Sequence, residues 1–324
     1  MKIIKVISVF FSTAIILSPI AFFQINFGDI AIKIQKGENL KDISGILAKN
    51  KVIEDNYGFR LLGIISGKEE KLSYGWYRLK FYQNPREVLS IISKGQRITV
   101  CITIPEGLTS VQTLKLLEHR TDIDIRKMDS LIHDEKFIRN LGINSNSIEG
   151  FLFPDTYIFY LSEDAESVIK KMVYNLLSIL NTDSKFKINS MKFNNNEILT
   201  IASMIEKEAM IDKEKPIIAS VIYNRLKMGM RLQIDATVLY ALGQHKSRIF
   251  YKDLKVESPY NTYKYRGLPP GPISNPGYQS ILAAINPSQT DYLYYVATGR
   301  GDHIFTKTLR EHNKAKFEMK KNWE

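Results

Sequence analysis

The stretch IASMIEKEAM, residues 201–210, sets Glu206 and Glu208 one residue apart among Ile201, Ala202, Met204, Ile205 and Ala209. A carboxyl at the rim of an apolar surface has its charged form destabilised. It can then stay protonated near neutral pH and hand its proton to a leaving oxygen. Cleaving a glycosidic bond needs such a donor. Hydrolysis usually adds a second carboxylate, as nucleophile or as base for water. A transglycosylase omits it when a hydroxyl of the sugar itself attacks, an intramolecular step with a large effective-molarity advantage. The competing reading makes both glutamates surface residues paired with Lys207, Arg225 or Lys213.

These acids need a helix to position them. NNEILTIASMIEKEAM supplies one, with an asparagine as N-cap candidate and Glu197 in the first turn, where it complements the helix dipole. At roughly 100° per residue the apolar arc centres near Ile198, Ala202, Ile205 and Ala209. Lys207 points away from it, and Glu206 and Glu208 fall on opposite edges, each about 80° from the centre. Positions i and i+2 do not face each other, so the two are not a paired-carboxylate site. Periodicity leaves open which of them acts.

The elements that follow must complete a cleft. PIIASVIYNRLKM reads as a helix from Pro216 to Met228, stopped by Gly229. GMRLQIDATVLYALG is a turn leading into another helix, and SPYNTYKYRGLPPGPISNPG an ordered irregular loop. QSILAAINP is a short helix, and DYLYYVATGRGDHIFTKTLREHN two strands joined by a glycine-containing turn, then a helix.

The 324 residues allow two modest domains. A net charge of +11 suits nucleic acid, an anionic membrane face or an acidic polymer such as cell-wall glycan, without choosing among them. The single cysteine, Cys101, excludes an internal disulfide, and its place in the alternating run ITVCITI predicts a buried structural thiol. After Lys2 and Lys5, VISVFFSTAIILSPIAFFQI carries no charge and is long enough to span a bilayer. The flanking lysines predict an uncleaved anchor with its N-terminus cytoplasmic. A cleaved signal peptide is the rival, disfavoured because Pro19 disturbs the small-residue cleavage site. A body outside the cytoplasm argues against a nucleic-acid partner.

From Asp29, IAIKIQKGENLKDISGILAKNKVI reads as strand, turn and helix. The pattern returns in VCITIPEGLTSVQTLKLLEH, and GWYRLKFYQNPREVLSIISKG between them is again strand then helix, started at Asn84-Pro85. This weak repeat resembles LysM-like glycan-binding modules, with a packing or spacer region as the alternative. Residues 121–147 read as helical and polar, and a further helix is expected near 164–181. Between them SIEGFLFPDTYIF joins aromatic residues to Glu149 and Asp155, a mixture suited either to sugar recognition or to a core loop with satisfied acids.

IASMIEKEA, IYNRLKMGMRLQIDATVLYALG, YNTYKYRGLPPGPISNPG and HIFTKTLREHN occur in this order, after EGFLFPDTY. Together they closely resemble the MltG (YceG-like) family of endolytic murein transglycosylases, most strongly from about 197 to 313. The resemblance implies an α+β fold: an N-terminal transmembrane helix (1–28), a LysM-like α+β region (29–120), and a mainly helical lysozyme-like catalytic domain with a short β element (121–324). It maps the catalytic acid onto Glu208. It places Gln233 and Asp235 on the opposite cleft wall, and gives Tyr260, Asn261 and Tyr263 as groups to hold a sugar and its N-acetyl arm, with Glu149 as a further contributor. Each of these binding residues can equally brace a loop. Ala236 departs from the family pattern, where proline is expected in DPT. His303 and His312 lack acid or cysteine partners at ligand spacing, so a structural hydrogen bond is expected rather than a metal.

The implied activity is cleavage of the bond between N-acetylmuramic acid and N-acetylglucosamine within peptidoglycan strands, leaving 1,6-anhydro ends, with no metal and no cofactor. The implied setting is the inner membrane, catalytic domain periplasmic, beside peptidoglycan synthases. Two rivals stand. One is a muramidase using Asp235 or Glu149 as second carboxylate; the other is a non-catalytic glycan-binding or synthase-scaffolding protein.

Overall fold

A computed structural model describes residues 28–182, 193–243, 246 and 249–321. They form two units. The first holds residues 28–102, 116–124 and 157–164; the second holds 103–115, 125–156 and the described residues from 165 onward. Both mix helices with small two-stranded sheets.

The first unit opens with β1 (Asp29–Ile34), α1 (Leu40–Lys49), α2 (Asn56–Ile65), β2 (Gly75–Lys80) and α3 (Pro85–Ser93). Period-two alternation makes the strands: Ile32 and Ile34 are buried with Lys33 exposed, and Tyr77 and Leu79 alternate with Arg78 and Lys80. β1 runs antiparallel to β2, from Asp29 opposite Lys80 to Ile34 opposite Gly75. In α1 the spacing of Leu40, Ile43 and Leu47 gives the buried stripe, and Asn39 and Asp42 exchange hydrogen bonds in a capping box. These residues join Phe59, Val88, Leu89 and Ile92 in one apolar cluster. The sequence reading missed α2. It buries Phe59 and Gly63, while Tyr57, Leu61, Ile64 and Ile65 are exposed, so apolar residues lie on its outward as well as its inward side.

The expected repeat does not form a second copy. β3 (Thr99–Thr103) pairs with β4 (Thr156–Tyr160), which the aromatic segment supplies. β3 buries only Ile102, so Cys101, expected as a buried thiol, is exposed. A two-stranded sheet packed on one face leaves alternate residues in solvent. The predicted single-pass location in the inner membrane, N-terminus cytoplasmic and catalytic domain periplasmic, is also corrected. Among the described residues no helix is long and apolar enough to cross a membrane. The stretch on which that expectation rested lies outside the described residues.

The second unit contains the start of α4 (Ser110–Glu118), then α5 (Ile125–Ile132), α6 (Glu135–Asn140), α7 (Ala165–Thr182), α8 (Asn195–Glu208), α9 (Lys215–Lys227), α10 (Asp235–Leu242) and α11 (Tyr278–Ile285). The hairpin β5 (Tyr294–Ala297) and β6 (His303–Thr306) and the helix α12 (Leu309–Lys321) close it. α8 packs against α9, α10 and α11, and every residue from Ile198 to Ile205 is buried. It starts at a capping box: Asn194 takes the N–H of Glu197 at 3.1 Å, and Glu197 takes that of Asn194 at 2.8 Å.

The proline- and glycine-rich loop is ordered and runs beside α8. Asn196 Nδ2 donates to Pro270 O at 3.4 Å, Ile273 N–H to Ser203 Oγ at 3.0 Å, and Gly277 N–H to Glu206 at 3.1 Å. Asn275, fully buried, fastens its other side. Its N–H and its side-chain amide donate to Leu108 O at 2.8 and 2.9 Å, its carbonyl takes the Gly107 N–H, and its Oδ1 takes the Leu152 N–H at 3.0 Å. Asn275→Ala strips buried partners from Leu152 and Leu108. It should lower the stability of the second unit by about 2–4 kcal/mol in urea titration. A loss under about 0.5 kcal/mol would show that the loop is held elsewhere.

Candidate active site

The last turn of α8 presents Glu206, Lys207 and Glu208, with Lys207 exposed and the glutamates half-buried on opposite sides. Their surroundings differ. Glu206 Oε2 takes the N–H of Gly277 at 3.1 Å and the hydroxyl of Ser280 at 2.5 Å, with Lys215 Nζ at 3.7 Å. It braces the end of α8 against the start of α11. A Cβ on Gly277 would stand 1.9 Å from the Glu106 carboxyl, so any larger residue there would have to push that side chain aside.

Glu208 has no such support. Among the described residues its hydrogen bond comes from the neutral hydroxyl of Tyr295, at 3.1 Å to Oε2. Burial pushes its carboxyl up to about 7, the Tyr295 bond opposing this and the charge of Asp235 adding to it, while His303 and Arg225 pull it down. Near neutral pH the group holds its proton about half the time, which suits a general acid that must later act as base.

Around this carboxyl stand groups from four elements. Asp235 begins α10 and takes a short hydrogen bond from Tyr263 Oη. Arg225, buried on α9, donates through Nε to Leu293 O at 2.6 Å and through a terminal nitrogen to Leu232 O at 2.5 Å, with Tyr294 stacked 5.2 Å from its guanidinium. His303 on β6 is held by Glu214, which takes its N–H at 2.9 Å and faces its Nδ1 at 2.7 Å. Gln233 precedes α10 in the left-handed region, φ 52°, its N–H on Thr262 O at 3.2 Å and its side chain exposed. Ala236 occupies the first turn of α10, where an N–H lacks a helical acceptor in any case, so alanine serves where proline would.

The remaining candidates lie on other partners. Glu149 is buried and takes the Ser110 N–H at 2.9 Å, at the start of α4; burial pushes it up to about 7, against hydrogen bonds from Ser110, Gly150 and Tyr240. Gly150 follows at φ 85°, and a Cβ there would meet Pro272 at 2.5 Å. Phe151, Leu152 and Phe153 are all buried, so EGFLFPDTY is built as a core loop. Asp155 takes the N–H of Thr156 and the amide of Asn175. Tyr260 packs on Tyr240 at 4.8 Å. Asn261, fully buried, spends its amide on Leu254 O and Val256 O and its Oδ1 on the Tyr263 N–H. Thus Asp235 and Tyr263 join Glu208, while Glu149 and Tyr260 share Tyr240. Tyr295, Glu214 and Arg225 were missed as site residues. Strand alternation put Tyr294 and Tyr295 on opposite faces without saying which face met the acid.

The YceG-like family model matches residues 32–318. A Bacillus subtilis (strain 168) protein named endolytic murein transglycosylase is 38% identical over 303 residues, covering 89% of this chain and 84% of its own. A Streptococcus pneumoniae (strain R6) protein of the same name is 28% identical and matches 88% of this chain but 57% of its own, longer sequence. The crystal structure of a YceG-like protein from Listeria monocytogenes is 37% identical, with a TM-score of 0.60, covering 89% of this chain and 99% of that one.

The two glutamates should separate in stability measurements. The folded state holds the Glu208 proton more tightly than the unfolded chain does. Glu208 therefore costs stability as pH rises from about 4.5 to about 7. Glu208→Gln should be more stable than wild type by about 2–3 kcal/mol at pH 8, with the difference gone near pH 4. Glu206→Ala should instead lose about 2–3 kcal/mol at pH 8, since it strips the acceptor from Ser280 and the Gly277 N–H and leaves buried Lys215 with Asp212 alone. Urea titrations at the two pH values check both.

Proposed function

This chain belongs to the YceG-like family, and from that premise we propose that it is an endolytic murein transglycosylase with Glu208 as its acid and base. The observation that carries the assignment is the contrast within one helical turn: Glu206 is spent on Gly277, Ser280 and Lys215, while Glu208, among the described residues, meets one neutral donor and still holds its proton about half the time near neutral pH. The naming of the Bacillus relative supports the same reaction and substrate.

In this reading protonated Glu208 gives its proton to the oxygen leaving C1 of N-acetylmuramic acid. As the C1–O bond breaks, the oxygen of the same sugar's 6-hydroxyl bonds to C1 and its proton passes to the Glu208 carboxylate. The product is a 1,6-anhydro end, and no water is consumed. Asp235 would line the cleft with Tyr263, and its negative charge would stabilise positive charge developing at C1. The exposed amide of Gln233, on backbone pinned to Thr262, would face the sugar's acetamido arm. Tyr260, Asn261 and Glu149 would support this wall from behind. The hydrolytic alternative requires a second carboxylate: Glu149 is enclosed by Ser110 and Tyr240, and Asp235, exposed and joined to the Tyr263 hydroxyl, is the group that would fill that role. The catalytic region is assigned to residues 121–324. Residues 29–120 are assigned to a LysM-like glycan-holding region, on the order β1–α1–α2–β2 with its antiparallel strand pair.

Uncrosslinked peptidoglycan strands incubated with wild type, Glu206→Gln and Glu208→Gln test the reading by mass spectrometry. Wild type and Glu206→Gln should release anhydro ends, each one water lighter than a reducing end, and Glu208→Gln should be slower by about 100-fold or more. The wild-type rate should fall as pH rises through about 7, where the acid loses its proton. Reducing ends in place of anhydro ends would make the enzyme a hydrolase. No cleavage by a folded wild type would favour a binding or scaffolding role.

A further inference from the structure

In the closing hairpin Tyr295 stands opposite Phe305, and His303 opposite Ala297. Positions two apart on a strand share a face, so Tyr295, His303 and Phe305 form one aromatic surface. Tyr295 and His303 meet edge to face at 5.4 Å, and Phe305 lies 6.2 Å from Tyr295 and 6.1 Å from His303. His303 is fixed at two points, since Glu214 engages both its backbone N–H and its Nδ1. A ring held that way cannot swing, and it confines the neighbouring phenol. The phenol hydroxyl donates to Oε2 of Glu208 at 3.1 Å. A carboxyl oxygen that already accepts a phenol proton is the poorer seat for the acid's own proton.

We propose that Tyr295 is a positioning residue for the reaction assigned above: by donating to Oε2 it seats the acid's proton on Oε1, and the Glu214–His303 clamp holds it in place. The inference rests on the transglycosylase reading. Oε1–H gives its proton to the glycosidic oxygen, which keeps the bonding pair as C1–O breaks. A lone pair of the 6-hydroxyl oxygen forms the new bond to C1, and the proton it sheds returns to Oε1. One oxygen performs both transfers, the phenol remains a phenol, and Glu208 ends in its starting state. The charged or titratable groups facing Glu208 are Asp235 on α10, Arg225 on α9, His303 on β6 and Tyr263 in the loop after α10. Tyr295 on β5 is the group that bonds it.

The test uses the full chain on uncrosslinked glycan strands. Tyr295→Phe should lower kcat about 10- to 100-fold with KM within about twofold. It should also move the alkaline limb of the pH profile upward, because the carboxylate has lost a donor and holds its proton more tightly. Glu214→Ala, which frees His303, should shift kcat the same way by a smaller factor. In a Glu208→Gln background, adding Tyr295→Phe should leave the strand Kd within about twofold. Unchanged kcat and pH limb in folded Tyr295→Phe overturn the proposal, as does lost strand binding in the double variant, which would make Tyr295 a substrate contact. Should Tyr295→Phe fail to fold, an unchanged kcat and limb in Glu214→Ala overturn it instead. A wild type that makes no anhydro ends removes the functional reading and this inference together. A wild type matched by Tyr295→Phe removes the inference alone.

Discussion

The carboxyl of Glu208 is withdrawn from water and given a neutral hydroxyl instead of a cation. Such a group is expensive to keep, because desolvation disfavours its charged form and a phenol compensates only in part. The rest of the second unit makes that condition permanent. α8 is buried from Ile198 to Ile205, so its final turn cannot roll outward to hydrate the acid. Arg225, the one nearby cation on α9, is tied to the carbonyls of Leu293 and Leu232 and stacked on Tyr294, so it acts on the acid from a distance and does not quench it. An ion pair in that place would drive the carboxyl down and leave no proton to give.

Glu206 shows what the same side chain does when it is given several donors. It lies two positions earlier, on the other edge of the helix, and takes an N–H, a hydroxyl and the neighbourhood of a lysine. Its bonds pin the turn from which Glu208 projects. The two acids are thus complementary parts of one device: one fixes the backbone through its hydrogen bonds to α11, the other reacts because it is kept from ionising fully.

The local rules were legible in the sequence. The apolar arc of α8, the half-buried place of both glutamates, its asparagine cap and the glycine stop after α9 follow from periodicity and capping chemistry. The choice between Glu206 and Glu208 was not legible from periodicity, because what distinguishes them comes from Gly277 and Ser280 in one case and Tyr295 in the other. Such distant partners leave no trace in the spacing of a single helix. The loop residues show the same limit. Asn261 and Tyr263 lie two residues apart, yet one turns fully inward to brace the loop and the other reaches Asp235. The family resemblance suggested sugar binding for both, with loop bracing the equal alternative. In the first unit, α2 escaped notice because its outward face is apolar, and β3 was taken for a repeat because a strand does not announce its partner.

The segment laced along α8 from Pro270 to Gly277 also acts as a ruler. Its anchor points, Asn196 and Glu206, are set by the rise of a helix, about 15 Å over ten residues. Seven peptide steps reach at most ~25 Å when extended. The surplus, about 10 Å, is the slack the prolines and Asn275 use in turning toward Leu108. Losing one residue would tighten the segment; losing three would use up that slack and pull either the brace at Glu206 or the anchor at Asn196 out of register. Sequence length in this stretch is therefore fixed by the pitch of a neighbouring helix, and the reach of the reactive acid is calibrated by a strand of chain that need not touch it.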